Sequence, residues 1–399
     1  MTRVSSIGDR TPSSSGRPIM AFREHARAQG MRLFAGLRRK PVVSSCPVQD
    51  PRKARKVGGQ STISGTIINA LSAKRATSGG KRVLSQLFDR FRSKSNRQAA
   101  TRQPSVVEET SGFLDFHDHQ LFYRVFQPPK GIRADKAPVL VLHGGPQVAH
   151  NYLENVGELA RLGHPVVMFD QSGCGLSGSP SDTSLLSLQY LRDQVAFVMD
   201  ELDLAEVHLF GQSAGGVLAL EFVLSYPESV ASLTLCSTPS DISTFIREAE
   251  SLANLLPSDT RDKILNGGDY SEESHREAMD VFNKNFLCRL EEWPECLQKS
   301  FEMAGSTFRG VGAISDWRIL PSDMAKIDVP VLQISGKFDE VTPKCVRPLH
   351  ENIPDSEWVI FSESSHMAFL EETEKFFKEM QKFLNRVEPL DCLATQVYQ

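Results

Sequence analysis

The chain of 399 residues lacks several features that would place it in a special class of protein. It has no run of about 18 apolar residues, so no transmembrane helix is predicted. Its seven cysteines show no Cys-x-x-Cys or Cys/His ligand spacing, which favours reduced thiols in an intracellular protein over disulfides or a metal site. Of all residues in the chain, 40% are hydrophobic and 24% are charged, a composition typical of a soluble globular protein.

Acidic residues are scarce in the first hundred residues. This part holds 21 of the 45 Lys and Arg residues but only four of the 49 Asp and Glu residues, a balance of +17 that leaves −21 for the remainder. It is rich in Ser, Arg, Gly and Ala and lacks sustained apolar periodicity, which predicts disorder. It also lacks the apolar segment of a secretory signal peptide.

Two hypotheses account for this basic leader, residues 1–105. Residues 20–40 have the pattern of a basic amphipathic helix, and an Arg-rich, acid-poor composition is typical of transit peptides, which would direct the protein to a mitochondrion or plastid. The alternative is a disordered arm that binds acidic surfaces or nucleic acid without specificity. We favour the transit peptide, because no aromatic residues alternate with the basic ones. Without targeting, we expect a cytoplasmic protein, and no nucleic-acid partner for the enzyme domain.

From about residue 113 onward, short apolar runs alternate with helical segments, after an initial hairpin around Asp118. Strands are predicted over 138–143, 165–170, 207–211, 230–236, 329–335 and 358–361. Helices are predicted over 151–162, 188–204, 213–225, 343–352 and 367–387. Continuous apolar strands separated by helices predict an α/β fold with a mostly parallel, doubly wound sheet.

This alternation is interrupted once. Residues 238–325 contain no clear strand, and we interpret them as a helical cap inserted into the core. The core would then comprise 106–237 and 326–390, followed by a tail at 391–399.

The motif Gly-x-Ser-x-Gly at residues 211–215 lies between a predicted strand and a predicted helix. In that setting it indicates a strained turn that presents the hydroxyl of Ser213 at a helix N-terminus. A serine hydroxyl needs a base to become a good nucleophile. Asp339 and His366 each follow a later strand, so we expect all three at one rim of the sheet. They are the predicted nucleophile, orienting acid and general base.

Hydrolysis through a serine also needs two backbone N–H donors for the acyl oxygen. Ala214, the residue after the nucleophile, would supply one donor. Gly145 would supply the other, because it follows a strand in the segment His143-Gly-Gly-Pro146 and glycine permits close backbone approach. His143 itself is given a structural role. No metal or cofactor is expected, since the triad supplies both base and nucleophile.

Together these segments resemble the proline iminopeptidase family of α/β-hydrolases, particularly its tricorn-interacting aminopeptidase and amino-acid-amide hydrolase branch. The resemblance covers residues from about 113 to 387 and depends on 143–146, 169–177, 211–216 and 338–343, with 286–294 and 314–317 in the predicted cap. It implies the α/β-hydrolase fold with a helical cap. It also implies a serine peptidase or amidase that acts on small substrates with a free N-terminal amine.

The resemblance also implies that acidic pocket residues bind the substrate ammonium, and Glu340 matches one of them. Thr307 occupies the place of the second acid, which would weaken ammonium binding by up to roughly 1–3 kcal/mol. Gln147 replaces the last glycine of the family's His-Gly-Gly-Pro-Gly loop and changes the floor of the pocket. We therefore include Thr307 and Gln147 with Glu340 as candidate substrate contacts.

Three functions stay open at this point. The first is release of N-terminal residues from peptides, or hydrolysis of amino-acid amides, through an acyl-enzyme on Ser213. The second is hydrolysis of a carboxyl ester, lactone or C–C bond by the same triad, an alternative that Thr307 motivates. The third is a ligand-binding pseudo-hydrolase. Epoxide hydrolases and dehalogenases need Asp in place of Ser213. The expected partner is a small peptide, amide or ester substrate, and the oligomeric state is not predicted.

Overall fold

A computed structural model describes residues 106–145, 148–266, 271–303, 314 and 316–388. The predicted leader and tail lie outside these residues, as do Gln147 and Thr307. Within the described part of the chain, no helix combines the length and apolar character that crossing a membrane would require.

Eight strands form one sheet in the described residues. They are β1 (Glu108–Phe116), β2 (His119–Gln127), β3 (Val139–Leu142), β4 (Val166–Phe169), β5 (Val207–Gln212), β6 (Val230–Cys236), β7 (Val331–Gly336) and β8 (Ser356–Phe361). Their spatial order is β1-β2-β4-β3-β5-β6-β7-β8. The β1–β2 and β2–β4 pairs are antiparallel, and every other pair is parallel. The mostly parallel sheet and the initial hairpin are therefore confirmed.

The helices of the described residues follow the predicted alternation. They are α1 (Leu188–Glu201), α2 (Ala214–Ser225), α3 (Ile242–Ala253), α4 (Ser258–Leu265), α5 (Glu272–Phe286), α6 (Glu295–Glu302), α7 (Pro321–Met324), α8 (Pro343–Asn352), α9 (Ala368–Glu371) and α10 (Thr373–Val387). Three 3-10 helices span His150–Leu162, Thr183–Leu185 and Pro227–Ser229. The segment predicted as a helix over 151–162 is thus a 3-10 helix.

Local sequence explains where several of these elements begin. The side chains of Ser187, Asp241 and Ser271 accept backbone N–H groups at the starts of α1, α3 and α5. Such N-caps satisfy donors that a helix leaves unpaired at its first turn. In the sheet, every residue of β3, β4 and β5 is buried, because helices cover both faces.

Between Cys236, the end of β6, and Val331, the start of β7, the described chain contributes α3 to α7 and no strand of the sheet. Apolar residues join α3, α4 and α5 in a cluster of their own, which includes Ala253, Ile264 and Phe282. This is the stretch interpreted above as a cap.

Candidate active site

Ser213 lies in a sharp turn between β5 and α2. Its φ of 54° and ψ of −120° are rarely adopted by residues other than glycine. Two backbone hydrogen bonds hold the turn, since the Ser213 N–H donates to the Cys236 carbonyl at 2.8 Å and the Ser213 carbonyl accepts the Gly216 N–H at 2.9 Å. This is the strand-to-helix turn that the Gly-x-Ser-x-Gly motif predicts.

Close packing of the backbone requires the two glycines of the motif. A Cβ atom on Gly211 would overlap the backbone of Gly215 and Gly216, and a Cβ atom on Gly215 would overlap the carbonyl oxygens of Leu142 and His143. A larger residue at Gly215 would therefore push the turn away from β3, and one at Gly211 would push the start of α2 away from β5.

Asp339 and His366 form a buried pair just past the ends of β7 and β8. His366 Nδ1 and Asp339 Oδ1 are 2.7 Å apart, and both residues are 3% exposed. The same carboxylate oxygen accepts the Val341 N–H at 2.8 Å. Because the carboxylate accepts at Nδ1, that nitrogen carries the hydrogen and Nε2 is left for proton transfer.

Ser213, His366 and Glu340 line one cavity. Among the described residues, the His366 side chain forms its hydrogen bond with Asp339 alone. Its Nε2 atom lies 3.8 Å from Glu340 Oε1. The structure thus brings the three predicted triad residues and Glu340 to the same place, with Glu340 close to Nε2 of His366.

Burial and charge shift the pKa of both Glu340 and His366. Burial raises the pKa of Glu340 to about 7; the charge of Asp339 acts in the same direction and His366 opposes it. Burial alone lowers the pKa of His366, but Asp339, through its charge and hydrogen bond, and Glu340 outweigh it and raise that pKa to about 8. Glu340 Oε2 is buried without a hydrogen-bond partner in the described part of the chain. This oxygen therefore has room for a hydrogen-bond donor that the described residues do not supply.

Apolar side chains form most of the remaining cavity wall. They include Ile242, Phe245, Leu287 and Phe301 from the insertion between β6 and β7, and Met367 from the loop after β8. A carboxylate in such surroundings is destabilised unless an opposite charge or hydrogen-bond donor reaches it. The arrangement is therefore suited to a small ligand that is apolar with one positive charge.

Gly145 and Ala214 line the same cavity, at the predicted positions of the oxyanion donors. Gly145 has a φ of 44°, in the left-handed region that favours glycine. Within the described residues, the N–H groups of Gly145 and Ala214 donate no hydrogen bond, whereas the Gly144 N–H donates to the Tyr152 hydroxyl at 2.6 Å. Of the two adjacent glycines, only Gly145 has its donor available.

Tyr152 is a supporting residue that the sequence analysis missed. Its hydroxyl accepts the Gly144 N–H and donates to Gln212 Oε1 at 2.6 Å. It therefore fastens the loop after β3 to the end of β5, directly before Ser213. Tyr152 belongs to a helical segment of ordinary apolar spacing, and no local pattern distinguishes it from a core residue.

Glu371 is a second residue that the sequence analysis missed. Its carboxylate accepts the N–H groups of Ser365 at 2.9 Å and Met367 at 3.2 Å, on both sides of His366. It also accepts the Arg289 N–H at 2.8 Å, from the insertion between β6 and β7. One carboxylate thus holds the loop that carries His366.

Both ring nitrogens of His143 form hydrogen bonds with the backbone. Its Nε2 accepts the Gln171 N–H at 3.0 Å, and its Nδ1 lies 3.1 Å from the Gly144 carbonyl, to which it donates. Burial lowers its pKa, so the ring is neutral. These contacts agree with the structural role expected for His143.

The Asp-Gln-Ser-Gly-Cys-Gly-Leu-Ser segment at 170–177 stabilises the loop after β4. Asp170 accepts the backbone N–H of His150 at 2.9 Å and its ring Nδ1 at 2.8 Å. The second carboxylate oxygen accepts the Leu176 N–H at 2.9 Å. This motif therefore supports the fold beside the cavity rather than the chemistry.

One group of potential metal ligands occurs in the described residues, and it is remote from the cavity. Ligand atoms of His164, His208 and Glu388 lie within 4.8 Å of one another. His164 Nδ1 donates to the Ala137 carbonyl at 2.8 Å, and His208 Nε2 pairs with Glu388 at 3.1 Å. The cluster is at the start of β5, the end opposite Ser213, and its hydrogen bonds anchor the end of α10.

Comparison with known proteins places this geometry among hydrolases. A family profile described as the alpha/beta hydrolase fold matches residues 137–373. The chain is 32% identical over 293 residues to a proline iminopeptidase of Clostridium botulinum, covering 69% of this chain and 98% of the relative. It is also 32% identical over 308 residues to a proline iminopeptidase of Saccharolobus solfataricus, covering 72% and 95% of the two chains.

Comparison with solved structures gives a result similar to the comparison of sequences. The crystal structure of a proline iminopeptidase from Mycobacterium smegmatis is 29% identical with a TM-score of 0.64, covering 70% of this chain and 98% of that one. The crystal structure of VinJ is 28% identical with a TM-score of 0.64, covering 70% and 99%. The α/β-hydrolase fold predicted from the sequence is confirmed.

Proposed function

The chain belongs to the proline iminopeptidase family of α/β-hydrolases, and on that basis we propose that this hydrolase is a serine aminopeptidase or amidase. It would release proline or another small N-terminal residue from peptides, or hydrolyse amino-acid amides. The observation that carries the proposal is the buried carboxylate of Glu340 in the cavity shared by Ser213 and His366, one oxygen of which has no hydrogen-bond partner in the described residues.

The proposed reaction begins at the substrate carbonyl. Ser213 Oγ attacks the carbonyl carbon while His366 Nε2 takes the serine proton, and Asp339 stabilises the resulting imidazolium. The N–H groups of Gly145 and Ala214 stabilise the oxyanion. His366 then gives its proton to the leaving amine, which produces an acyl-enzyme on Ser213. Water hydrolyses this ester with His366 again acting as base.

Recognition of the substrate would depend on the amino group of the residue whose carbonyl carbon is attacked. Glu340 would bind its ammonium group, and the apolar walls would enclose a small ring or alkyl side chain. The buried carboxylate supports this assignment, because an ammonium ion supplies the hydrogen-bond donor that Oε2 lacks among the described residues. Gln147 and Thr307 are proposed as further substrate contacts on the resemblance alone.

The test uses the prolyl and alanyl p-nitroanilides and their N-acetylated forms. We expect cleavage of the free amines and at least a 100-fold lower kcat/KM after acetylation, because the acetylated nitrogen carries no charge. Ser213→Ala should lower kcat by roughly 10⁴-fold or more. Ser225→Ala, an exposed serine at the other end of α2, is the control and should retain activity.

Equal cleavage of free and acetylated substrates would contradict recognition of the amine. Much faster turnover of simple aryl esters would then favour the ester hydrolase. Turnover that persists unchanged in Ser213→Ala would contradict the serine mechanism as a whole, and absence of turnover on every substrate would favour the pseudo-hydrolase.

We also propose that the chain consists of a basic leader at 1–105, a core at 106–237 and 326–390, and a cap at 238–325. About 70% of this chain matches almost the full length of the relatives, so the remainder of this chain has no counterpart in those relatives. Fusion of residues 1–105 to a fluorescent protein tests the transit peptide. Import into an organelle would support it, and a diffuse distribution would contradict it.

A further inference from the structure

His366 lies between two buried carboxylates, one at each ring nitrogen. Asp339 is hydrogen-bonded to Nδ1 at 2.7 Å, and Glu340 Oε1 lies 3.8 Å from Nε2. Nε2 is the atom that must accept the proton of Ser213 in the proposed reaction. A proton retained there by Glu340 would therefore keep the base inactive.

The charged groups that act most strongly on His366 are all negative. They are Asp339, Glu340 and Glu371. Two cations of the neighbouring loops pack elsewhere, since Arg289 stacks on the Phe338 ring at 3.9 Å and Lys337 lies 5.3 Å from the same ring. Asp339 and His366 are the charged groups that act most strongly on Glu340 itself.

The backbone keeps Glu340 in this position. Its N–H donates to the Phe286 carbonyl at 3.1 Å, at the end of α5, and the Val341 N–H next to it donates to Asp339. The residue is 6% exposed. Because the surrounding walls are apolar, the charge of Glu340 is weakly screened and acts strongly on the imidazole.

This environment gives the free enzyme a protonated base near neutral pH. Glu340 contributes to raising the pKa of His366 to about 8, so most of the imidazole carries two protons at pH 7. An imidazolium cannot accept the proton of Ser213. A cation placed against Glu340 would cancel that contribution and favour the neutral ring.

We propose that Glu340 couples recognition of the substrate amine to activation of the base. In the free enzyme its carboxylate retains a proton on His366 Nε2. A substrate ammonium that binds the carboxylate releases this proton to water and leaves Nε2 free to accept the proton of Ser213. The inference rests on the proposed function and extends it, since the ammonium becomes a requirement for chemistry as well as for binding.

The coupling is reciprocal. If a bound ammonium favours neutral His366, then deprotonation of His366 must strengthen ammonium binding by the same factor. For an amine substrate, kcat should therefore rise at lower pH than kcat/KM does, because kcat reports the complex and kcat/KM the free enzyme. For an uncharged ester, the two profiles should rise together.

A ligand titration measures the effect directly. The full chain carrying Ser213→Ala is titrated by NMR of the His366 ring, assigned by its loss in His366→Asn. The ligand is pyrrolidine, which stays protonated over the pH range of the titration. Cyclopentanol is the uncharged control compound. We expect saturating pyrrolidinium to lower the titration midpoint by about one pH unit or more, and cyclopentanol to leave it in place.

Glu340→Gln provides the second arm. In this variant the His366 midpoint should be lowered without ligand, and pyrrolidinium should have no further effect. At pH 7.5, between the pKa values of Glu340 and His366, the variant should hydrolyse p-nitrophenyl acetate several-fold faster than the wild type, while its kcat/KM on the prolyl p-nitroanilide falls at least 10-fold. Glu363→Gln, an exposed carboxylate three residues from His366, is the matched control and should behave as the wild type.

A midpoint that pyrrolidinium does not move would overturn the inference, and so would a Glu340→Gln variant that titrates like the wild type. In either case a retained requirement for the free amine would leave the proposed function standing. Equal cleavage of acetylated substrates would instead remove the proposed function. If Glu340→Gln does not fold by circular dichroism, the ligand titration in Ser213→Ala decides.

Discussion

At the scale of single residues, the site combines groups held in unfavourable states. Ser213 has a left-handed backbone, and Glu340 is a buried carboxylate without a hydrogen-bond partner for one oxygen in the described residues. Each arrangement costs free energy that the surrounding fold must offset, which is typical of functional sites. Tyr152 shows how that support is provided, since its hydroxyl joins the two segments that carry Gly145 and Ser213.

Tyr152→Phe tests this support. The change leaves the buried Gly144 N–H and Gln212 Oε1 unpaired, so we expect a loss of about 1–3 kcal/mol in the free energy of unfolding, measured with urea. Because Gly145 would shift with its loop, kcat should fall by roughly 10-fold with little change in KM. Tyr226→Phe, whose hydroxyl makes neither contact, is the control. An unchanged kcat would show that the loop holds its position without the hydroxyl.

The same residues show what sequence could predict at this scale. Ser213, Asp339 and His366 could be predicted because each follows a strand, and strand ends can be read from local apolar runs. Tyr152 and Glu371 could not be found, because their importance lies in hydrogen bonds to segments distant in sequence. A local pattern carries no information about such partners.

At the scale of elements, the parallel strands bring the site together. β5, β6, β7 and β8 are neighbours, so the residues that follow β5, β7 and β8 meet at one edge of the sheet. The strands place the loops, but the loops need their own support. For the loop after β8, that support comes from α9, whose last residue, Glu371, accepts hydrogen bonds from Ser365 and Met367.

Glu371→Gln tests the role of α9 in holding the base. An amide offers one acceptor and places N–H donors against the N–H groups of Ser365 and Met367, so the loop should loosen. We expect about 2 kcal/mol lower stability, the scale of a hydrogen bond to a charged group, and a kcat lower by about 10- to 100-fold. Thermal unfolding and arylamide kinetics measure both. Glu374→Gln, an exposed change three residues later, should have neither effect.

At the scale of the whole molecule, charge divides the chain into a first hundred residues of +17 and a remainder of −21. About 70% of the chain matches almost the full length of the family relatives. Stability of the whole fold, in turn, responds to single buried charges. The raised pKa of Glu340 therefore predicts a pH dependence of unfolding.

The direction of this pH dependence follows from proton linkage. A carboxyl group whose pKa rises on folding, here from 4.5 to about 7, binds its proton more tightly in the folded state, so stability decreases as pH rises between those values. Glu340→Gln removes this loss. We expect the variant to gain about 3 kcal/mol relative to the wild type between pH 4.5 and pH 7. Urea unfolding at several pH values, with Glu363→Gln as control, measures it. A difference independent of pH would contradict the burial argument.

The sequence by itself determined the fold class, the triad candidates and the contrast between leader and hydrolase, because apolar periodicity and strand-end motifs are local properties. Only the tertiary structure decided that the Glu340 carboxylate lies beside Nε2 of His366 and that Glu371 holds the loop of His366. It also decided that the N–H of Gly144 is hydrogen-bonded to Tyr152, whereas that of Gly145 is available. Each of these depends on a distance of a few ångströms between atoms from separate elements. Such distances follow from packing of the whole fold.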